Sequence, residues 1–167
     1  MEVDFLGHGA REGAEKGGGT GPNPTDRAKL GVKRHVLTDG RGVPLSVLTT
    51  PANVHDKWMV GEVFDGVVLR GPRGPRRPEH LCLDKGYDYA DSERAVRTRG
   101  IRPHIRRRGG QPLLGCAQGK PRRSVVERTN SWHNRFRGLL LRWERKAPNY
   151  LAMVHLVCGL IALRQAA

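Results

Sequence analysis

The chain has 167 residues, the length of one domain with a substantial core. Its 30 Lys and Arg residues outnumber 16 Asp and Glu residues, and the net charge of +14 predicts a polyanionic partner, nucleic acid first. Three cysteines without CxxC spacing argue against a zinc site and a disulfide framework, and the chain start has no signal-peptide pattern. A reducing cytoplasm is expected, without a membrane partner.

The first part of the chain predicts a strand, a loop and a hairpin. Residues 3–6, VDFL, form a short apolar run, whereas residues 13–24 are so rich in glycine that a flexible loop is expected. Two β-rich runs then surround Asp39-Gly40-Arg41-Gly42, a strong hairpin signal. Alternation along the first run separates its two faces, with Val32, Arg34 and Val36 on one and Lys33, His35 and Leu37 on the other.

The middle of the chain predicts a parallel βαβ unit. A helix is expected over residues 57–69, followed by a Pro/Gly/Arg connector at 70–79 that cannot be helix or central strand. The apolar run HLCLD predicts a buried strand, and Asp88 or Asp91 can cap a helix that ends near Gly100. Residues 101–108 predict the next strand, which Pro103 places near an edge. Strand, helix and strand favour a parallel pair.

Two helices are predicted at the C-terminal end. Residues 122–146 carry an apolar stripe at helical spacing: Val125, Thr129, Trp132, Phe136, Leu139 and Trp143. Glu127 lies about 200° around the helix from Val125, on a polar stripe with Arg123, Asn130 and Asn134. Residues 150–164 are apolar nearly all round and predict a buried helix; the longest apolar stretch, 151–163, is too short to span a bilayer.

Three carboxylates on separate elements suggest a metal site. Asp4 lies on the first strand, Asp84 ends a later strand and Glu127 lies on the long helix. Phosphoryl transfer on DNA uses two divalent cations roughly 3.5 to 4 Å apart, which such a set can bridge. The alternatives stay open: Asp84 can be a turn residue beside Gly86, and Glu127 can form an ordinary ion pair with Arg123.

Several blocks carry a resemblance to a known family. Residues 21–45, then PANVHD, LDKGYD and RRSVVERTNSWHNRFRGLLLRWER, resemble in order the catalytic region of bacterial DDE transposases of the insertion sequence five family. The resemblance implies one ribonuclease-H-like α/β domain over residues 1–167, in which a mixed sheet, an antiparallel hairpin plus parallel strands, is flanked by helices. It also implies that the helical region usual ahead of the first aspartate is absent, because three residues precede Asp4.

The resemblance implies a role for each matching residue. Asp84 and Glu127 match the second and third acidic residues of the DDE motif, and Asp4 is the candidate for the first. Together they would hold two Mg²⁺ or Mn²⁺ ions. Arg123 matches the signature arginine, whereas Lys120 and Asn134 replace the signature tyrosine and lysine. The expected DNA-binding residues are Lys120, Arg122, Arg123, Arg106, Arg107, Arg108, Asn134 and Arg135; the expected supporting residues are Asp56, Tyr87 and Asn130.

The activity implied is phosphodiester hydrolysis and strand transfer at the ends of an insertion element. The partners implied are the terminal inverted repeats and target DNA, with a homo-oligomer forming during transposition and a cytoplasmic, nucleoid-associated location. One alternative is an inactive or truncated transposase remnant that binds DNA without cleaving it. Another is a basic RNA-binding or structural protein whose carboxylates serve as caps and ion pairs. Against the latter, the aromatic residues fall on a core-like stripe.

Overall fold

The computed structural model describes residues 3–12, 17–67, 70–71, 74–75, 78–105 and 123–166, with the backbone alone at 3–12, 70–71, 74–75 and 123–124. The main sheet contains six strands: β1 (Val3–Glu12), β2 (Gly21–Pro22), β3 (Leu30–Thr38), β4 (Pro44–Pro51), β7 (His80–Leu83) and β8 (Arg102–Ile105). A separate pair, β5 (Arg70–Gly71) and β6 (Gly74–Pro75), lies within the predicted connector. The helices are α1 (Val60–Asp65), α2 (Ala90–Arg97), α3 (Arg123–Asn134), α4 (Arg137–Leu140) and α5 (Ala147–Ala166).

The sheet is mixed. β3 pairs antiparallel with β4 on one side and with β1 on the other, and β1 continues in parallel to β7 and then β8. The two-residue β2 pairs with the start of β3, so part of the loop predicted over 13–24 is a strand. β1 extends beyond the predicted VDFL because its pairing with β3 continues from Phe5 to Glu12. Antiparallel and parallel strands thus occur as expected, and the predicted α/β class, a mixed sheet flanked by helices, is confirmed.

Two helical layers cover the two faces of the sheet. Leu37 packs with Leu81 and Leu83 in a core under α1 and α2. Val32 and Val36, on the other face of β3, pack with Leu139 of α4 and with α5. The two faces predicted from alternation along β3 are therefore correct, and each fills its own hydrophobic core.

The hairpin and the βαβ unit are confirmed, with local corrections. β7 and β8 are parallel, β8 lies at the sheet edge as Pro103 indicated, and Gly100 ends the α2 region at φ +75°. The N-cap of α2 is Tyr89, so neither Asp88 nor Asp91 caps it; Asp91 lies in the first turn, where a carboxylate favours the helix dipole. The helix predicted over 57–69 is a 3-10 turn, Asp56–Trp58, followed by the short α1.

The single long helix predicted over 122–146 is wrong. Phe136 adopts an extended conformation between α3 and α4, and Leu141 does so after α4. Tertiary packing explains the break: Gly138 lets α4 approach Met153 of α5 closely, since an added Cβ would lie 3.0 Å from the Met153 sulfur. Trp143 is 72% exposed, so its predicted place in the core stripe is wrong.

The last helix, α5, is longer and less buried than predicted. It packs on β4, α3 and α4 through Tyr150, Val154, Val157 and Ile161. Leu156, Leu160 and Leu163 are exposed on its other side, so the expectation of burial all round is wrong. By length and composition alone this helix would suffice to cross a membrane.

Candidate active site

The three candidate carboxylates lie on elements that pack together. Asp4 is on β1, Asp84 follows the last residue of the neighbouring β7, and Glu127 is on α3. α3 packs against β1, and its Val125 contacts Cys82, two residues before Asp84. The fold therefore gathers the two strands and the helix that carry the predicted DDE residues.

Asp84 sits at the turn that ends β7. Its Oδ1 accepts a hydrogen bond of 2.7 Å from the Lys85 backbone N–H and so caps the 3-10 turn Lys85–Tyr87. Asp84 is half-buried, and this bond engages one of its two carboxylate oxygens. The predicted turn chemistry is thus present, and it is compatible with a ligand role because a carboxylate has several acceptor positions.

The strand register fixes the position of Asp4. Within the parallel pair, Asp4 is opposite Leu81 and Leu6 is opposite Leu83. Asp4 is therefore three residues before the level of Asp84, about 10 Å along the strand at roughly 3.3 Å per residue. The two carboxylates belong to adjacent strands, and the Asp4 side chain lies outside the described part of the chain.

Glu127 is exposed on α3, while Val125 is buried, as the predicted helical geometry requires. Among the side chains that the structure describes, no three His, Cys, Asp or Glu residues cluster around a possible metal position. Mg²⁺ prefers carboxylate oxygens and retains several water ligands, so Asp84 and Glu127 are the described candidates for holding it.

A buried polar network supports the turn that carries Asp84. Tyr87 is fully buried; its hydroxyl lies 3.3 Å from His35 Nδ1, and its backbone N–H donates to the Asp84 carbonyl. Asp56 Oδ1 accepts from Lys33 Nζ at 3.0 Å and lies 3.9 Å from His35 Nδ1. Burial, followed by the carboxylates of Asp56 and Asp84, raises the pKa of Tyr87 well above its usual value. The hydroxyl therefore stays protonated.

Lys33 and His35 were not predicted as site residues. Both lie on the face of β3 that the alternation pattern assigned, and His35 Nε2 is 2.8 Å from Thr50 Oγ1 of β4. The sequence placed both residues on the same strand face as the apolar Leu37. That placement could have indicated a buried polar network, because buried polar side chains require hydrogen-bond partners. Asp56 and Tyr87, which were predicted as supporting residues, contact Lys33 and His35 respectively.

A second buried polar group lies on the opposite sheet face. Arg34 is fully buried, and its Nη2 donates to Asn134 Oδ1 at 3.1 Å. Burial and the nearby Arg34 lower the pKa of His133 to about 4, and burial raises the pKa of the Cys158 thiol to about 12. Neutral His133 and Cys158 are 3.3 Å apart from Nε2 to Sγ. The Asn134 carbonyl oxygen is thus directed to the protein interior.

The other predicted DNA-binding residues are distributed unevenly. Arg135 is exposed, and Arg123 is the first residue of α3. Asn130, which was predicted as a supporting residue, is half-buried. The remaining predicted residues, Arg106, Arg107, Arg108, Lys120 and Arg122, lie outside the described residues. The role of these residues in DNA binding stays a prediction.

Comparisons with known proteins identify the family. The family model for the transposase DDE domain matches residues 4–162. The transposase assigned to insertion sequence element IS402 of Burkholderia cepacia is 44% identical over 145 residues, which cover 85% of this chain and 67% of that protein. The transposase of element IS1106 of Neisseria meningitidis serogroup B is 29% identical over 117 residues, covering 65% of this chain and 38% of that protein.

Among solved structures, the catalytic core domain of BIV integrase matches with a TM-score of 0.44 and 11% identity, over 80% of this chain and 66% of that one. Family membership rests on the sequence matches, and the range matched by the family model spans positions 4, 84 and 127. The resemblance and the expected enzyme class, a DDE-type transposase, are confirmed. The chain belongs to the transposase DDE domain family of bacterial insertion sequences.

Proposed function

We propose that this domain hydrolyses and joins phosphodiester bonds at the ends of an insertion element, with Asp4, Asp84 and Glu127 as its catalytic residues. One observation carries the proposal: α3, which bears Glu127, packs through Val125 on the same strand end that Asp84 terminates, and also packs against β1. The packing of the three elements that carry these residues supports the proposal.

The chain's own residues supply position and charge. The three carboxylates would hold two Mg²⁺ or Mn²⁺ ions, which when bound supply Lewis-acid activation of water and of a DNA 3′-hydroxyl. Asp84 caps the turn at the end of β7, and the buried Tyr87 side chain anchors the same turn against His35. Arg123 places positive charge at the start of α3, suited to the phosphate on which negative charge develops. The basic surface attracts DNA by phosphate contacts.

The proposal extends to partners and location. The domain acts on the terminal inverted repeats of its element and on target DNA, as a homo-oligomer assembled on those ends, in the bacterial cytoplasm at the nucleoid. The chain spans 67% of the IS402 relative, so these properties concern the complete transposase.

A second candidate is a domain of the same fold that binds DNA without cleaving it. The observation that favours it is Asn134, which stands at the signature lysine position and whose carbonyl oxygen accepts from buried Arg34. The family signature implies a cation at this position, and Asn134 supplies none. Arg135, exposed and adjacent, is the candidate replacement.

Metal-dependent nicking of supercoiled DNA separates the two candidates. We expect Mg²⁺ or Mn²⁺ to support nicking, and Asp84→Asn and Glu127→Gln each to reduce it by more than about 100-fold. Glu93→Gln is the matched control, since Glu93 forms an exposed helix pair with Arg97 that contributes little. No nicking by the unmodified chain, together with salt-sensitive DNA binding, would favour the non-catalytic candidate.

A further inference from the structure

An exposed aromatic and basic cluster adjoins the turn that carries Asp84. Trp58 is 63% exposed, although it is the largest apolar side chain in its segment. Lys57 Nζ lies 4.5 Å from the centre of the Trp58 ring and 5.2 Å from the centre of the Tyr89 ring. We call Trp58, Lys57, Tyr89 and His55 the aromatic cluster.

Local contacts hold the aromatic cluster in one arrangement. His55 Nδ1 accepts from the Lys57 backbone N–H at 3.3 Å, so Nε2 carries the ring proton of the neutral imidazole and donates to the Tyr89 hydroxyl at 3.0 Å. The two rings meet edge to face, with centroids 4.8 Å apart and an interplanar angle of 84°. The surface is preorganised, which reduces the entropy lost when a ligand binds.

The aromatic cluster is part of the candidate active-site region. The turn Asp56–Trp58 packs against the turn Lys85–Tyr87, which Asp84 caps. Tyr89 is the N-cap of α2, five residues after Asp84. Buried Asp56, held by Lys33 at 3.0 Å, anchors the same turn from below. A ligand on Trp58 would therefore lie beside the strand end where the proposed chemistry occurs.

We infer that the aromatic cluster binds an unpaired base of a DNA strand next to the cleavage site, by stacking on Trp58 with Lys57 available to the adjacent phosphate. The inference rests on the proposed action on DNA. A flat aromatic face accepts any base, and a nearby ammonium group suits a phosphate. Paired bases in a duplex present edges and phosphates instead, so the cluster selects single-stranded or locally opened DNA.

A protein partner is the competing occupant, because Trp and Tyr are also enriched at protein interfaces. The charge of the chain favours nucleic acid: the net charge is +14, and Lys57 lies within the cluster itself. The protein interface becomes an outcome of the test.

The test compares the affinity of the full chain for a labelled single-stranded oligothymidylate and for a duplex of equal length. Binding is followed by fluorescence anisotropy at fixed salt in EDTA, so that no cleavage is required. We expect Trp58→Ala to weaken single-strand binding about 5- to 150-fold and duplex binding less than about two-fold, with Trp58→Phe retaining most of the affinity. Trp143→Ala is the matched control, since Trp143 is 72% exposed and lies in the chain between α4 and α5, whose buried residues pack on the opposite sheet face.

Equal affinities of Trp58→Ala and the unmodified chain for the single strand would overturn the inference, as would equal losses for single strand and duplex. A change in oligomeric state of Trp58→Ala, without a change in DNA affinity, would assign the cluster to a protein contact and would also overturn it. Single-strand binding is measured in EDTA, whereas nicking is measured with Mg²⁺ or Mn²⁺. Failure of the proposed catalysis, seen as absent nicking, is thereby distinguishable from failure of this inference.

Discussion

At the scale of single residues, Asp56 is a carboxylate that folding removes from water. Its side chain is 9% exposed and that of Lys33 is 12% exposed, with 3.0 Å between their charged atoms. Removing one partner of such a pair leaves a buried charge without compensation. Asp56→Asn, which preserves shape, should therefore lower the free energy of unfolding by about 3 kcal/mol in urea denaturation.

The exposed pair Asp26–Lys29 provides the control for that experiment. Its charged atoms are 3.9 Å apart, and the side chains are 43% and 54% exposed. Asp26→Asn should change the free energy of unfolding by less than about 0.5 kcal/mol. Similar small losses in both variants would contradict a stabilising role for Asp56 beneath the Asp84 turn.

His133 predicts a pH dependence of stability. In the unfolded chain its pKa is 6.5, whereas burial and Arg34 lower it to about 4 in the fold. Between these values the unfolded state binds the additional proton, so stability falls as the pH decreases from 6.5 towards 4. His133→Gln should remove about 2 kcal/mol of the difference between the unfolding free energies at pH 7 and pH 4.5. An unchanged pH profile would show that His133 is accessible to protons in the fold.

At the scale of elements, the β3–β4 hairpin and α3 are joined at Gly42. Gly42 has φ +88°, its carbonyl accepts a 2.6 Å hydrogen bond from buried Thr129 Oγ1, and an added Cβ would lie 3.0 Å from that oxygen. Gly100 also has a positive φ, +75°, but an added Cβ there meets nothing within 4 Å. A side chain at Gly100 would therefore meet backbone strain alone, whereas one at Gly42 would meet both strain and steric crowding.

Alanine substitution at these glycines tests the hairpin–helix contact. Gly100→Ala should lower the free energy of unfolding by about 1 kcal/mol, from conformation alone. Gly42→Ala should cost about 1 kcal/mol more because the Thr129 contact must also move. Thermal unfolding of both variants measures the difference. Equal costs would mean that α3 adjusts freely against the hairpin and does not hold Glu127 in a fixed place.

Elements set by nearby residues were predicted from the sequence, and those set by distant contacts were not. The hairpin follows from Asp39, whose side chain accepts hydrogen bonds from the backbone N–H groups of Arg41 and Val43. The parallel unit follows from the order of strand, helix and strand along the chain. The break at Phe136 depends on Gly138 approaching Met153, and buried Arg142 donates to the Gly18 carbonyl across the fold. The spacing of apolar residues along the chain does not indicate contacts between such distant residues.

The residues of the candidate site also differ in whether they could be predicted from local sequence. Asp84 and Glu127 were identified from their sequence blocks, and the packing of Val125 on Cys82 brings their elements together. Lys33 and His35 were missed because their partners, Asp56 and Tyr87, are far along the chain. The sequence predicted the strand face of Arg34 but not its contact with Asn134, because that contact joins β3 to α3, which is far along the chain.

At the scale of the whole molecule, the chain is basic, and the elements that bear its candidate carboxylates pack together. The net charge of +14 favours DNA, and a carboxylate site repels phosphate unless cations are bound. We therefore propose that Asp4, Asp84 and Glu127 hold divalent cations together, although Asp4 is three residues before the level of Asp84 in the strand register.

Mn²⁺ binding to the full chain, followed by electron paramagnetic resonance, tests that claim most directly. Asp4→Asn, Asp84→Asn and Glu127→Gln should each weaken Mn²⁺ binding by at least about 10-fold, while Asp65→Asn, which removes an exposed partner of Arg99, should leave it unchanged. Wild-type Mn²⁺ affinity in all three variants would contradict the site. Unchanged affinity in Asp4→Asn alone would exclude the first strand from it.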